Sequence, residues 1–296
     1  MAAPGEPLVL ARHYVRLHQF ERALEVLGRV TSAELDEVEV WRLRAAALHG
    51  LRRYEEALRA ADSGLARRAD DLVLLDQLAL SAFEGGKRRK AQAALRRALA
   101  LDPGNALLIA HGALFLARTK GSVLTRRWRR RKAQVSADLA VRLAPESLPV
   151  LRIRASVAAL TGDRRASAFK RQLLAVDPGD KAVRLISGAV SVRRGEISEA
   201  LEHYVEAARL DPGDHRTAWL GRRSRALLRP GAAPLRLLWR LGPRRVHVAV
   251  IVLSMALLTV HASTVRAVLL TCWVAVVLYA VAIRVGLRLR FGRRPR

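Results

Sequence analysis

An Asp-Pro-Gly turn recurs in this chain behind an alanine-rich stretch of nearly constant length, and that recurrence constrains the fold more than any other feature. Ala91–Asn105 reads AQAALRRALALDPGN, Ala166–Asp180 reads ASAFKRQLLAVDPGD and Ala200–Asp214 reads ALEHYVEAARLDPGD. A diverged copy, AQVSADLAVRLAPES, occupies Ala133–Ser147. The closing prolines, Pro103, Pro145, Pro178 and Pro212, are spaced by 42, 33 and 34 residues. Small alanines let two helices approach closely. Proline cannot continue a helix, and the residue before it leaves the α region, so each copy ends a helix at Asp-Pro. Glycine then accommodates the turn. A period near 34 residues built this way predicts stacked helical hairpins, each burying its apolar side against the next.

The register extends in both directions. Leu8–Val30 reads as a degenerate first pair, because Phe20 and Ala23 precede Tyr54 and Ala57 by 34 residues. Val38–Asp71 is a second unit, opened by Trp41, with Ala69 standing where Pro103 stands one repeat later. Leu72–Asn105 is a third, with Gly86 at its turn, and Ser147–Asp180 and Lys181–Asp214 are the fifth and sixth. Residues 214–229 read as an unpaired helix covering the last apolar face, as an open stack requires. The run Pro230-Gly-Ala-Ala-Pro234 breaks the chain and marks a domain boundary.

These residues resemble the tetratricopeptide repeat (TPR), whose pattern runs W-x2-L-G-x2-Y, A-x3-F, P. The match is best at Lys181–Asp214, where Gly188, Gly195, Ala200, Tyr204, Ala207 and Pro212 fall on family positions; Trp41, Tyr54 and Ala57 match in the second unit. The resemblance covers about residues 4–214. It implies an all-α, TPR-type solenoid of about six helix pairs. Its matching residues are packing residues, so Trp41, Tyr54, Phe169 and Tyr204 are expected between helices. It also implies a scaffold that binds a protein or peptide in a groove lined by each repeat's first helix. Family positions then nominate Arg42, His49, Asp76, Phe83, Glu84, Arg118 and Arg193 as groove residues.

The fourth unit departs from the register by eight extra residues near Thr119–Arg131, and within it lies RRWRRRK: Arg126, Arg127, Trp128, Arg129, Arg130, Arg131 and Lys132. Three readings stay open. The run is a solvated, extended start to the repeat's second helix, or a site for lipid or an acidic partner, or a nucleic-acid site in which Trp128 stacks a base.

Net charge is +27, unevenly spread. Residues 214–296 hold sixteen arginines against one acid, Asp214. Two stretches there, 246–260 and 267–283, carry no formal charge, and Arg266 stands between them. They are expected to form a two-helix transmembrane hairpin at 246–283, contacting membrane lipid. A basic interfacial segment at 230–245 precedes it and a basic tail at 284–296 follows. Nine arginines lie in residues 214–245 and six in 284–296. Positive charge resists translocation, so both ends are placed in the cytoplasm of a plasma (inner) membrane. Residues 1–7 show no basic, apolar leader pattern. The Ala/Arg-rich composition suggests a GC-rich bacterial genome.

One cysteine, Cys272, and eight scattered histidines disfavour a disulfide or a metal site. No phosphate-binding glycine loop, G-x-S-x-G or H-E-x-x-H pattern is present. The expectation is therefore no cofactor and no enzyme. The alternative is a basic repeat protein binding nucleic acid or another polyanion. It is disfavoured, because most of the excess charge flanks the apolar stretches.

Overall fold

Helix ends recur at the positions the prolines mark. The computed structural model describes residues 6–30, 37–119 and 122–228, together with 270, 271, 273 and 274. These residues form thirteen α-helices, and no strand occurs among them. The helices are α1 (Glu6–Arg16), α2 (Phe20–Leu27), α3 (Val38–Gly50), α4 (Tyr54–Arg67), α5 (Leu72–Glu84), α6 (Arg88–Leu101), α7 (Ala106–Arg118), α8 (Val123–Leu143), α9 (Leu148–Thr161), α10 (Ala166–Val176), α11 (Lys181–Arg194), α12 (Ile197–Leu210) and α13 (His215–Leu228). The all-α expectation and the six pairs with a following single helix match this order.

The chain divides into two compact units, Met1–Val157 and Ala158–Arg296. In the first, each helix packs on its successor from α1 to α7 and α7 packs on α8, while α1, α3, α5 and α7 also stack in sequence. The first helices of successive repeats thus form one layer. In the second unit α10, α11, α12 and α13 pack in succession. Buried Thr217, Trp219 and Leu227 show α13 closing against α12, as a covering helix should.

The turn chemistry repeats with the sequence. Asp102, Asp177 and Asp211, each before a proline, take φ/ψ of −138/86°, −148/85° and −146/89°. Ala144, before Pro145, takes −143/73°. The residue after each Pro-Gly then caps the next helix. Asp180 accepts the Val183 amide at 2.8 Å, and Asn105 accepts that of Leu108 at 3.2 Å. Asp71 does the same for Leu74 at 3.0 Å, although its repeat lacks the proline. Such caps satisfy amides that the first turn leaves without partners.

Close approach explains the small residues. Ala57, Ala61, Ala91, Ala94 and Ala98 are buried in the largest apolar cluster with Leu74, Leu75 and Phe115. Trp41 and Phe169 pack against such clusters and Tyr204 is buried, as expected of helix–helix residues. A Cβ at Gly188 would meet Tyr204 Cε1 at 2.5 Å, so only glycine fits there. Several core positions break the apolar rule, Arg154 and Lys170 among them. Lys170 occupies the register position of Leu95 and Tyr204, yet it is buried. Its ammonium donates to Glu199 Oε1 at 2.7 Å and to Ser191 Oγ at 3.1 Å, which compensates its desolvation.

The register break in the fourth unit is helical. α8 has 21 residues where α4, α6 and α12 have 14, which adds about two turns at its start. Ser122 caps it by accepting the Thr125 amide at 3.3 Å. The expected boundary at 230, the segment 230–245, the spans within 246–283 and the tail 284–296 lie outside the described residues but for those four positions. Among the described residues, no helix is long and apolar enough to cross a membrane.

Candidate functional site

The layer of first helices in the first unit carries a concave pocket of about 390 Å³. Ala46 and His49 of α3 form one wall, Leu72, Val73, Asp76, Gln77 and Leu80 of α5 the floor, and Asn105, Leu107 and Leu108 the wall toward α7. The floor residues recur at three- and four-residue intervals, so a single face of α5 presents them. Its aliphatic side chains give it a mostly apolar surface with polar groups at fixed points, the composition of a recognition site.

Those polar groups are paired across repeats. His49 Nδ1 lies 2.9 Å from Ser81 Oγ, and Asp76 Oδ1 lies 2.7 Å from His111 Nδ1. Phe83 stacks on Phe115 with ring centroids 4.2 Å apart and planes at 4°. Glu84 pairs with Arg118, whose guanidinium also sits over the Phe83 ring at 5.5 Å. Each pair joins residues 32 to 35 apart, close to one repeat. The α3–α5–α7 layer therefore joins its first helices by cross-repeat rungs, two of which fix His49 and Asp76 at the pocket. Burial pushes His49 below the usual histidine range. Glu84 and Asp76 pull the other way without prevailing, and His111 adds to the lowering, so the ring is neutral at pH 7.

One polar atom lacks a rung. Gln77 Oε1 is buried and, among the described residues, no donor reaches it. A buried acceptor without a partner is costly; enclosed as it is, this oxygen is not open to the pocket unless the Gln77 side chain turns.

Of the seven residues nominated from family positions, Arg42, His49, Asp76, Phe83, Glu84 and Arg118 stand on α3, α5 and α7. His49 and Asp76 line the pocket itself. Arg42 is a repeat clamp: it donates to Asp71 through Nε at 3.1 Å and to Glu39 through Nη1 at 3.2 Å. The hydrogen bond from Asp71 raises its pKa, although burial opposes this. Burial likewise disfavours ionised Asp71, but bonds from Arg42 and the Leu74 amide hold its carboxyl below the ordinary range. Arg193 belongs to α11 in the second unit, where a Cβ at Gly162 would meet its Nη2 at 2.9 Å. Ser81, His111, Phe115 and Gln77 were missed from sequence. The signal for the first three was present: complementary residue types one repeat away from His49, Asp76 and Phe83.

The basic run occupies the second and third turns of α8. Trp128 is 60% exposed, and Lys132 Nζ lies 5.0 Å from its ring centroid. Arg126, Arg127 and Arg131 are exposed, and Arg129 and Arg130 half-buried. The extended helical start is thus what the structure contains. Among the described residues, no three His, Cys, Asp or Glu side chains gather as a metal site.

A family model for the tetratricopeptide repeat matches residues 8–71. Among solved structures, the chain is similar to a thermophilic TPR protein of Thermus thermophilus, with 22% identity and a TM-score of 0.58, over 64% of this chain and 100% of that one. It is also similar to a tetratricopeptide repeat protein from Parabacteroides merdae, with 14% identity and a TM-score of 0.60, over 76% of this chain and 86% of the other. A third likeness is to the human IFIT1 dimer with m7Gppp-AAAA, at 16% identity and a TM-score of 0.53, covering 76% of this chain and 57% of that one. No curated protein matches the chain in sequence. These likenesses establish a TPR-type fold.

Proposed function

We propose that this chain is a membrane-tethered TPR scaffold that holds a protein or peptide partner in the α3–α5–α7 groove. The observation that carries the reading is the groove itself: an apolar floor on α5, walls from the neighbouring first helices, and His49 and Asp76 fixed along it by cross-repeat bonds. A peptide brings what this surface lacks, apolar side chains to cover Leu72, Val73 and Leu80. TPR proteins act in general as protein-binding scaffolds. The tether rests on the two uncharged stretches at 246–260 and 267–283. The cytoplasmic side rests on the arginines that flank them.

The groove is tested by placing a photo-crosslinking residue at exposed Val73, with exposed Arg96 on α6 as control, in intact cells. A discrete adduct from position 73, absent from position 96 and weakened by Leu80→Gln on the groove floor, is expected. Equal labelling from both positions overturns the site. The tether and its sidedness are tested separately in a Cys272→Ala background with single cysteines at Ser263 and at exposed Ser198. A membrane-impermeant maleimide added to intact cells should label 263 and spare 198. The reverse pattern inverts the topology, and release of the full chain from membranes by salt alone removes the spans.

A further inference from the structure

The helix α8 departs from the other second helices of the repeats in its solvent face as well as its length. Its buried residues Ala133, Ala137 and Ala140 occupy the register of Ala91, Leu95 and Ala98 in α6 and of Ala200, Tyr204 and Ala207 in α12. In that register, Val135 stands where the sister helices carry Arg59, Ala93, Ala168 and Glu202. Leu139 stands where they carry Ser63, Arg97, Gln172 and Glu206. Both are open to solvent, Val135 at 58% and Leu139 at 39%. Trp128, in the added turns, has no counterpart. At 100° per residue, Trp128, Val135 and Leu139 fall within about 40° of one line along the helix. A stripe of exposed apolar side chains has therefore been placed where this repeat elsewhere carries mostly polar or charged ones.

Cations edge the stripe. Lys132 lies along it, against Trp128, and Arg127, Arg131 and Arg142 lie to one side. Among the described residues, no acid pairs with Arg126, Arg127, Arg130 or Arg131. The one acid of α8, Asp138, is turned toward α9, where Arg154 Nε donates to it at 2.7 Å. The outer face is thus apolar along its centre and cationic at its margin, and the one carboxylate on that margin, Asp138, is offset by its bond from Arg154.

We propose that this face of α8 docks in the interface of an anionic lipid surface. Trp128, Val135 and Leu139 enter the boundary between headgroups and acyl chains. Arg127, Arg131 and Lys132 extend to the phosphates, their methylene stems lying along the apolar stripe. A polynucleotide would use the cations and the Trp128 ring, but it offers nothing to Val135 and Leu139, which lie two to three turns beyond that ring. A lipid interface uses the whole face. The inference is independent of what the groove binds, since α8 contributes no residue to the pocket.

The test uses the full chain in a Cys272→Ala background with Val135→Cys carrying an environment-sensitive fluorophore, and a matched label at exposed Gln92 on α6 as control. The protein is returned to phosphatidylcholine vesicles with and without phosphatidylglycerol. The expected result is a blue-shifted emission at 135 and several-fold slower quenching by aqueous dithionite in the anionic vesicles only. Combined Arg127→Gln, Arg131→Gln and Lys132→Gln replacement should abolish both, with helical content unchanged by circular dichroism. The label at 92 should respond in neither vesicle. Equal quenching at 135 in both vesicles overturns the proposal. Protection by a single-stranded oligonucleotide without protection by anionic vesicles overturns it in favour of a nucleic-acid surface.

Discussion

Substituting Gly188 by Ala tests the helix contact on which the repeat depends. A Cβ there would stand 2.5 Å from Tyr204 Cε1 and 2.9 Å from Cδ1. Ordinary carbon contacts lie near 3.5–4.0 Å, so the ring or the helix must retreat by roughly 1 Å. Tyr204 is buried, so the retreat displaces packed neighbours. Overpacking of this kind costs about 1–3 kcal/mol, while alanine regains about 1 kcal/mol of helix propensity over glycine. The net loss is roughly 1 kcal/mol. Gly221, inside α13, is the internal control: an added Cβ meets nothing within 4 Å. Gly221→Ala should therefore stabilise by about 1 kcal/mol through propensity and a less flexible unfolded chain. Repeat proteins open segment by segment, so the readout is native-state hydrogen exchange resolved to α11–α12 and to α13. Gly188→Ala should raise the opening constant of α11–α12 about fivefold, and Gly221→Ala should lower that of α13 by a similar factor. If Gly188→Ala slows exchange as Gly221→Ala does, the α11–α12 approach is not close and the repeat register is wrong.

Asp71→Ala should destabilise the first unit by about 1 kcal/mol for the lost cap, plus the loss of its bond with Arg42. Asp71→Asn keeps the acceptor, and its urea midpoint should lie between wild type and Asp71→Ala. Burial depresses His49 and His203, so the unfolded chain binds protons first on acidification. Stability present above the ordinary histidine range should fall as the pH drops through it, and the dependence should shrink in His49→Gln and His203→Gln. Asp71, Glu199 and Asp214 are held below the usual carboxylate range, so their stabilisation is lost only below about pH 4 and leaves that window clear. Replacing Arg126, Arg127, Arg130 and Arg131 by Gln should leave thermal stability unchanged or slightly raised. It removes like-charge neighbours one turn apart, each worth about 0.2–0.5 kcal/mol; a clear loss would mean that these arginines brace the fold.

Much of the fold follows from local chemistry and was therefore legible in sequence. Proline behind an alanine-rich stretch disfavours the helical conformation of the residue before it, so the ends at Asp102, Ala144, Asp177 and Asp211 could be placed from sequence, while Pro7 and Pro149 sit in the first turns of α1 and α9, where proline is tolerated. Alanine spacing marked the buried sides of α6 and α12. The eight-residue register break near Thr119–Arg131 marked the start of α8, where the structure places the added turns.

Other features depend on neighbours that no local rule specifies. Arg68 ends α4 with φ/ψ of −134/97°, close to the pre-proline residues, although Ala69 follows it. The turn is closed there by hydrogen bonds, from the Asp71 amide to Arg68 O at 3.4 Å and from Arg97 of the next repeat to Ala69 O at 2.5 Å, where proline closes it elsewhere. Lys170 reads as a solvent residue, and it is buried only because Ser191 and Glu199 arrive from α11 and α12. The groove is the clearest case. Family positions identified His49, Asp76, Phe83 and Glu84 individually, but not their partners Ser81, His111 and Phe115. Those pairings depend on how far one hairpin slides along the next, a shift of a residue or two that the repeat length does not specify. Where the proline-ended helices stop, and which side most helices bury, could be read from the residues alone, because those are one-residue and one-turn effects. The stacking offset, and with it which polar groups face each other across the groove, was set only when the repeats packed.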